Sequence, residues 1–245
     1  MPNIIKSKAI ALKKIDYGDT SQIVTFYTEE YGKLSAILKG ARSPKSKLVH
    51  QIDILNYLEI VVYKKDTRQV QLVSQADLIK SYQKIKSDLN KLKYASGIIE
   101  LLNTLTFENE ANERLFTVTV KALDAMEEKN KLDENIFAKY LLFFLKEIGY
   151  EIQLEYCSEC KTELSASESI SFKFDRGLLC SSCATNYDAT ENLTKEHFLL
   201  LKCLISKNYC EKFSKNKIKK VITFLEKYLM YHIPEFRGIK SIHYY

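Results

Sequence analysis

Glycine is scarce in this chain: seven residues in 245, none beside another. Neither a GxGxxG turn nor a Walker A loop is therefore present, and Gly32-Lys33 runs into Leu34 without the upstream glycine that a phosphate-cradling loop needs. No GxSxG elbow and no HExxH pair occurs, and His50, His197, His232 and His243 are scattered. Long apolar runs are also missing. The longest, residues 140–145, is far too short to cross a bilayer. Residues 1–8 have neither the apolar core of a signal peptide nor a lipidation motif, so a soluble cytoplasmic protein with no membrane partner is expected. These absences argue against an enzyme. A nuclease or other centre assembled from dispersed acids and hydroxyls stays open, and cleavage with added divalent metal would reveal it.

What is present is ordinary in bulk and uneven in placement. An apolar fraction of 46% allows a real core, and 245 residues allow two domains. The net charge of +6 is by itself a weak sign of polyanion binding. Its distribution says more. Residues 33–47 carry Lys33, Lys39, Arg42, Lys45 and Lys47 with no acid between them. A second acid-free run, residues 212–220, holds Lys212, Lys215, Lys217, Lys219 and Lys220. The acids gather elsewhere, in 108–113 and 127–134.

Hydrophobic periodicity divides the chain. Residues 4–15, 21–28, 34–40, 52–63 and 70–79 are rich in β-branched, apolar and aromatic residues, and turn chemistry at 16–19, 29–32 and 64–67 separates most of them. Five strands in about eighty residues suit a small barrel. The OB-fold is the commonest five-stranded form, and an SH3-like barrel is the alternative that pattern alone leaves open. After Lys80 the period becomes helical: Ile98 to Leu105, Leu115 to Met126 and Ile136 to Ile148 each mark a helix, the last ending at Gly149. Thr194 is placed to cap a fourth, and Ile218, Val221, Leu225 and Leu229 mark a fifth, ending before Pro234. The expected class is α+β: an N-terminal domain over 1–80, with the charged stretch 80–93 as the boundary, then a helical domain over 81–245.

Four cysteines carry the sharpest chemical signal. Cys157-x-x-Cys160 and Cys180-x-x-Cys183 stand nineteen residues apart. A pair two residues apart can present both sulfurs to one ion, and two pairs close a tetrahedral thiolate shell that suits zinc. A chain without an export signal sits where thiols stay reduced, and a thioredoxin-like redox motif would be a single pair beside a βαβ unit. Four thiolates leave no open coordination position, so one structural Zn2+ is expected, in an insert at about 155–186. Cys203 and Cys210 fall outside the pattern and are expected as buried apolar thiols.

On a barrel, the first basic run would form a groove that follows a phosphate backbone, with Tyr17, Phe26, Tyr27, Tyr31 and Tyr57 as nearby aromatics, about half of them facing the core. The leading expectation from the residues alone is nucleic-acid contact without turnover chemistry. An RNA-binding or protein-interaction module built from the same parts is the alternative, separable by competition between DNA and RNA of equal length.

Ordered blocks along nearly the whole chain resemble one family. They run from Ala9-Ile10-Ala11-Leu12 through Asp16-Tyr17-Gly18-Asp19-Thr20-Ser21 and Tyr31-Gly32-Lys33-Leu34 to Lys39-Gly40-Ala41-Arg42-Ser43-Pro44. Phe143-Phe144-Leu145-Lys146-Glu147-Ile148-Gly149-Tyr150 leads to the first cysteine pair, and Phe172-Lys173-Phe174-Asp175-Arg176-Gly177-Leu178-Leu179 to the second. The blocks resemble RecO, the bacterial recombination mediator family. Arg176-Gly177 departs from the two glycines usual there, and residues 84–135 resemble the family only in being helical. The resemblance implies an OB domain, a helical domain and an inserted zinc knuckle. It further implies binding and annealing of single- and double-stranded DNA, nucleoid association, and partnership with RecR. Binding to the tail of single-stranded DNA-binding protein, and so indirect help in loading RecA, completes what it implies. DNA contacts map best onto Lys39, Arg42, Lys45 and Lys47, with Lys33 beside them and Lys215, Lys217, Lys219 and Lys220 as a second patch.

Overall fold

The computed structural model describes residues 3–43, 51–128, 132–165, 170–187, 191–206 and 213–243. The chain forms two compact units, Met1–Asn130 with Ile239–Tyr245, and Lys131–Gly238. Compactness thus groups the helices that follow residue 80 with the barrel as far as residue 130, and it brings a C-terminal segment back to the same unit.

In the first unit five strands close a barrel: β1 (Asn3–Tyr17), β2 (Ser21–Thr28), β3 (Gly32–Leu38), β4 (Tyr57–Lys64) and β5 (Val70–Lys80). The order is β1-β2-β3-β5-β4, with β4 returning to β1, and all pairings are antiparallel except β3 with β5. That parallel closure decides for the OB form over the SH3-like alternative. β1 is long because it serves both neighbours, β4 with its first half and β2 with its second; a register shift between Ala11 and Lys13 bends it from one to the other. Period-two alternation sends Val24, Phe26, Leu34, Ala36, Leu38, Leu58, Ile60 and Val62 inward.

One expected strand is shorter than its apolar content suggested. Residues 52–56 are turn, not strand, with Leu55 at φ 73°. Ile52 and Leu55 are apolar because both are buried, Ile52 in the barrel core, while Leu55 N donates to Ala11 O at 3.0 Å. Burial without ladder pairing reads like a strand in one dimension.

The charged stretch after β5 is helical. Helix α1 (Gln83–Ser87) ends at Asp88, whose carboxylate then caps α2 (Leu89–Leu105) by accepting from Asn90 N and Lys91 N. Asn112 caps α3 (Glu113–Glu127). Two lysines close C-terminal ends: buried Lys91 donates to Met126 O at 2.6 Å, and Lys33 of β3 donates to Asn103 O and Thr106 O. Gly32 is required where it stands, since at φ +64° a Cβ would come within 2.0 Å of Glu110 O. The segment Ile239–His243, with one 3-10 turn, is held by Glu100 of α2, which accepts from Lys240 N, Ser241 N and Ser241 Oγ.

The second unit packs α4 (Asp133–Glu147) with α6 (Lys195–Ile205) and α7 (Lys215–His232). Phe137, Leu141, Phe144, Phe198, Leu201, Ile218, Leu225 and Leu229 are buried, at the spacing that marked each helix. Gly149 ends α4 at φ 89°, and Thr194 Oγ1 caps α6 by accepting from His197 N. Between α4 and α6 lie β6 (Ile170–Lys173), β7 (Gly177–Leu179), the single-turn α5 (Ser181–Ala184) and β8 (Glu191–Leu193), the strands forming a sheet in the order β7-β6-β8.

Candidate functional site

The first cysteine pair sits on a tight loop. Cys157 N donates to Thr162 O at 2.8 Å, Lys161 N donates to Cys157 O at 3.1 Å, and Lys161 takes φ 60° to turn the chain back. The second pair comes off β7: Cys180 follows the strand and precedes α5, which carries Cys183 one turn later. Ser158 N donates to Leu178 O at 2.8 Å and joins the two halves. Arg176 is unstrained in the β6–β7 turn, because the positive φ of 95° falls on Gly177.

All four Sγ atoms lie within 4.8 Å of one another. Cys157 and Cys180 are buried, Cys183 is half-buried and Cys160 exposed. The hydroxyl and backbone N–H of Thr162 are the main reason the Cys160 thiol is pulled down to about 6, while hydrogen bonding to Cys160 and Cys180 holds the Cys183 proton, up to about 12. Cys157 is lowered although burial opposes it, through the backbone N–H groups of Cys180, Cys160 and Glu159. Donors aimed at sulfur favour thiolates, and clustered thiolates call for a cation; this set could hold one metal ion. An outer polar lattice steadies it: Arg176 donates to Glu159 at 2.7 Å, and Arg176 and Lys173 both lie over the Tyr187 ring. Cys203 departs from expectation, being half-buried and disulfide-bonded, not a buried thiol; Cys210 lies outside the described residues.

The first basic run divides by role. Lys39 is exposed just beyond β3. Arg42 is exposed too, yet tethered: its Nη1 donates to Gly18 O at 3.2 Å, its Nε is 3.7 Å from Asp16, and its backbone N donates to Thr20 O. These contacts join the turn after β3 to the β1–β2 turn at one end of the barrel. Lys33 faces elsewhere, its ammonium 2.8 Å from Asn103 O and 2.5 Å from Thr106 O, and burial holds its pKa below the ordinary lysine value. Lys45 and Lys47 lie outside the described residues. Of the five aromatics singled out, Phe26 is in the core, Tyr27 and Tyr57 pack on Phe116, and Tyr31 packs on the barrel. Tyr17 is exposed, next to Gly18.

The second basic run opens α7. Lys215, Lys219 and Lys220 are exposed, and Lys217 pairs with Glu196 at 2.9 Å. No acid stands in the first turn of that helix, so its cations oppose the helix dipole.

With this geometry in place, comparison with known proteins is specific. The family model described as Recombination protein O N terminal matches residues 1–82, and Recombination protein O C terminal matches residues 86–241. The chain belongs to the RecO family. A protein named DNA repair protein RecO from Chlorobium limicola is 35% identical over 67% of this chain and 63% of its own length, so the matched stretch spans under two thirds of that relative. The Acetivibrio thermocellus protein of the same name is 30% identical over 75% of this chain and 72% of its own, and that of Chlorobaculum parvum 28% over 94% and 93%. The C-terminal model covers the helices of 86–127 as well, a stretch that in sequence resembles the family only in being helical.

No helix among the described residues is long and apolar enough to cross a membrane. One feature of this RecO-family chain escapes the motif search: a cavity of about 550 Å³ beside the first cysteine pair, lined by residues of 151–158, by the β6–β7 hairpin and by Tyr228 and His232 of α7. Its walls come from three separated stretches that no linear spacing brings together.

Proposed function

We propose that the chain is a DNA-binding recombination mediator acting without turnover chemistry. It binds single- and double-stranded DNA, anneals complementary strands, and helps load RecA on DNA coated with single-stranded DNA-binding protein. RecR and the tail of the single-stranded DNA-binding protein are its partners, and it works in the cytoplasm at the nucleoid. Residues 1–80 serve as the nucleic-acid-binding domain, and 81–245 as the helical domain carrying the knuckle at about 155–186.

The observation that carries this reading is the barrel end where exposed Lys39 and Arg42 stand beside exposed Tyr17, in a family whose relatives are named DNA repair proteins. Cations meet phosphate and a free ring stacks on bases, which is how OB barrels hold single strands. Lys45 and Lys47 extend the same patch in sequence. Lys33 belongs to the scaffold of the barrel unit, and Lys215, Lys219 and Lys220 supply a second phosphate-facing surface.

The metal is zinc. A zinc–sulfur bond of about 2.3 Å implies tetrahedral sulfur separations of about 3.8 Å, and Cys160 Sγ to Cys180 Sγ is 3.7 Å. Four thiolates fill the shell, so the ion cross-links the knuckle and leaves no position for substrate.

The test is single-strand binding against salt, where log affinity should fall by about 0.7 per phosphate neutralised for each unit of log salt. Lys39→Glu should weaken binding across sequences and lower that slope by about one contact. Equal binding by that variant rejects the barrel-end site. Annealing of strands coated with single-stranded DNA-binding protein, with and without its tail, then tests mediation; cleavage of the strands, or a tenfold preference for RNA, would reject it.

A further inference from the structure

We propose that a single nucleic-acid strand crosses the outer face of the barrel along one row of apolar side chains, leading away from the cations at the barrel end. The inference rests on the DNA-binding reading and adds the path that the strand takes.

Strand register defines the row. Ile15 pairs with Ile23, Ile23 with Ile37, Ile37 with Leu72, and Leu72 with Tyr63. Partners in adjacent strands point to one face of a sheet. That face is the outer one, because Val24, Leu38, Val73 and Val62, next along the same strands, lie in the barrel core. Ile15 is 46% exposed and Tyr63 37%, while Ile23, Ile37 and Leu72 are half-buried. The barrel needs none of them to fill its interior, and a contiguous apolar line on the solvent side marks an interaction surface. Four steps of about 4.8 Å between strands make the row about 19 Å long. That is room for roughly four nucleotides, the short end of OB sites.

The rows on either side choose the occupant. Lys13, Thr25, Ser35 and Val70 run in register along one side. Lys13 is exposed, and Thr25 Oγ1 lies 3.3 Å from Ser35 Oγ. On the other side Tyr17 pairs with Ser21, and exposed Lys39 follows β3. None of these residues is an acid. Asp16, at the rim, accepts from Gln22 Nε2 at 2.9 Å and lies 3.7 Å from Arg42 Nε. An apolar line bordered by cations and hydroxyls matches a polymer with flat apolar bases and one negative phosphate per unit. An apolar protein surface would match the line and leave Lys13 and Lys39 without counter-charges.

The experiment uses the full chain, labelled at its isoleucine methyls, with oligothymidylate as the probe. Methyl resonances of Ile15, Ile23 and Ile37 should shift on binding, and those of Ile52 and Ile60, in the core, should not. Ile15→Glu should lose about tenfold in single-strand affinity, the scale of one base contact. Tyr63→Ala, uncharged and at the far end of the row, should lose a similar factor, which a charge effect at the barrel end would not produce. Both positions are exposed, so the melting midpoints should match wild type. If either variant does not fold, the methyl map on wild type decides. Unmoved Ile23 and Ile37 methyls overturn the inference while leaving the barrel-end reading intact. So does unchanged binding by Tyr63→Ala or Ile15→Glu where Lys39→Glu weakens it, and the row then belongs to a protein partner. Failure of wild type to bind any single strand would instead sink the DNA-binding reading itself.

Discussion

Lys33 and Lys39 stand six positions apart in one acid-free run and do different work. Lys33 stands on the outer face of β3, against the end of helix α2: its half-buried ammonium closes carbonyls that the helix end leaves unpaired. Lys39, one residue past the strand, points to solvent. Replacing a charged donor to two carbonyls should therefore cost stability, where replacing an exposed cation should not. Lys33→Met is expected to lower unfolding free energy by about 1–2 kcal/mol in a urea titration. Its single-strand affinity, measured well below the unfolding transition, should stay within about twofold of wild type. Lys39→Glu should reverse that pattern, with stability within about 0.5 kcal/mol and affinity reduced. A Lys33→Met variant that is fully stable yet binds weakly would return Lys33 to the DNA-contact set.

At the scale of elements, the knuckle is a set of pieces too short to persist alone. Strands β6 and β7 have four and three residues and helix α5 four, and neither a two-stranded ribbon nor a single helical turn is stable in water by itself. An ion joining Cys157, Cys160, Cys180 and Cys183, whose Sγ atoms lie within 4.8 Å of one another, would supply the missing constraint. Chelation, or Cys157→Ser with Cys160→Ser, should cost at least about 2 kcal/mol, the large end of single-site effects. Amide exchange should lose protection first across residues 155–187. Acid should act in the same direction, because the ligands bind metal as thiolates and protons compete. A metal-free chain with unchanged exchange protection would show that the knuckle stands without an ion. The pairs were legible from spacing alone, since two CxxC turns need no knowledge of the fold. The aromatic cavity was not, because Ser158, Phe174 and His232 meet only through the hairpin and the end of α7. The barrel strands were legible from alternation, and residues 52–56 misled because burial, not pairing, made them apolar.

For the whole molecule, the boundary visible in sequence and the boundary of compactness answer different questions. The change from period two to helical period falls near residue 80, and the two family models meet between 82 and 86. The compact unit nevertheless runs to residue 130 and recovers Ile239–Tyr245. What recovers them is a contact no linear pattern announces: one carboxylate, Glu100, accepting from Lys240 N, Ser241 N and Ser241 Oγ, with Ile239 and Ile242 buried beside it. Hydrogen bonds to a charged acceptor contribute about 1.5–3 kcal/mol, and burying each isoleucine adds about 1.5–3 kcal/mol before the entropy of ordering the segment is subtracted. A fragment of residues 1–130 should therefore fold less stably than the same fragment with 239–245 joined through a flexible linker. The linked form should gain about 2 kcal/mol in urea, and Glu100→Ala should remove most of that gain. If the two fragments unfold at the same urea concentration, the returning segment only rests on the unit. If Glu100→Ala weakens both equally, the carboxylate supports helix α2 itself. Only a gain that needs both the segment and Glu100 makes the C-terminal turn part of the barrel unit in energy as well as in space.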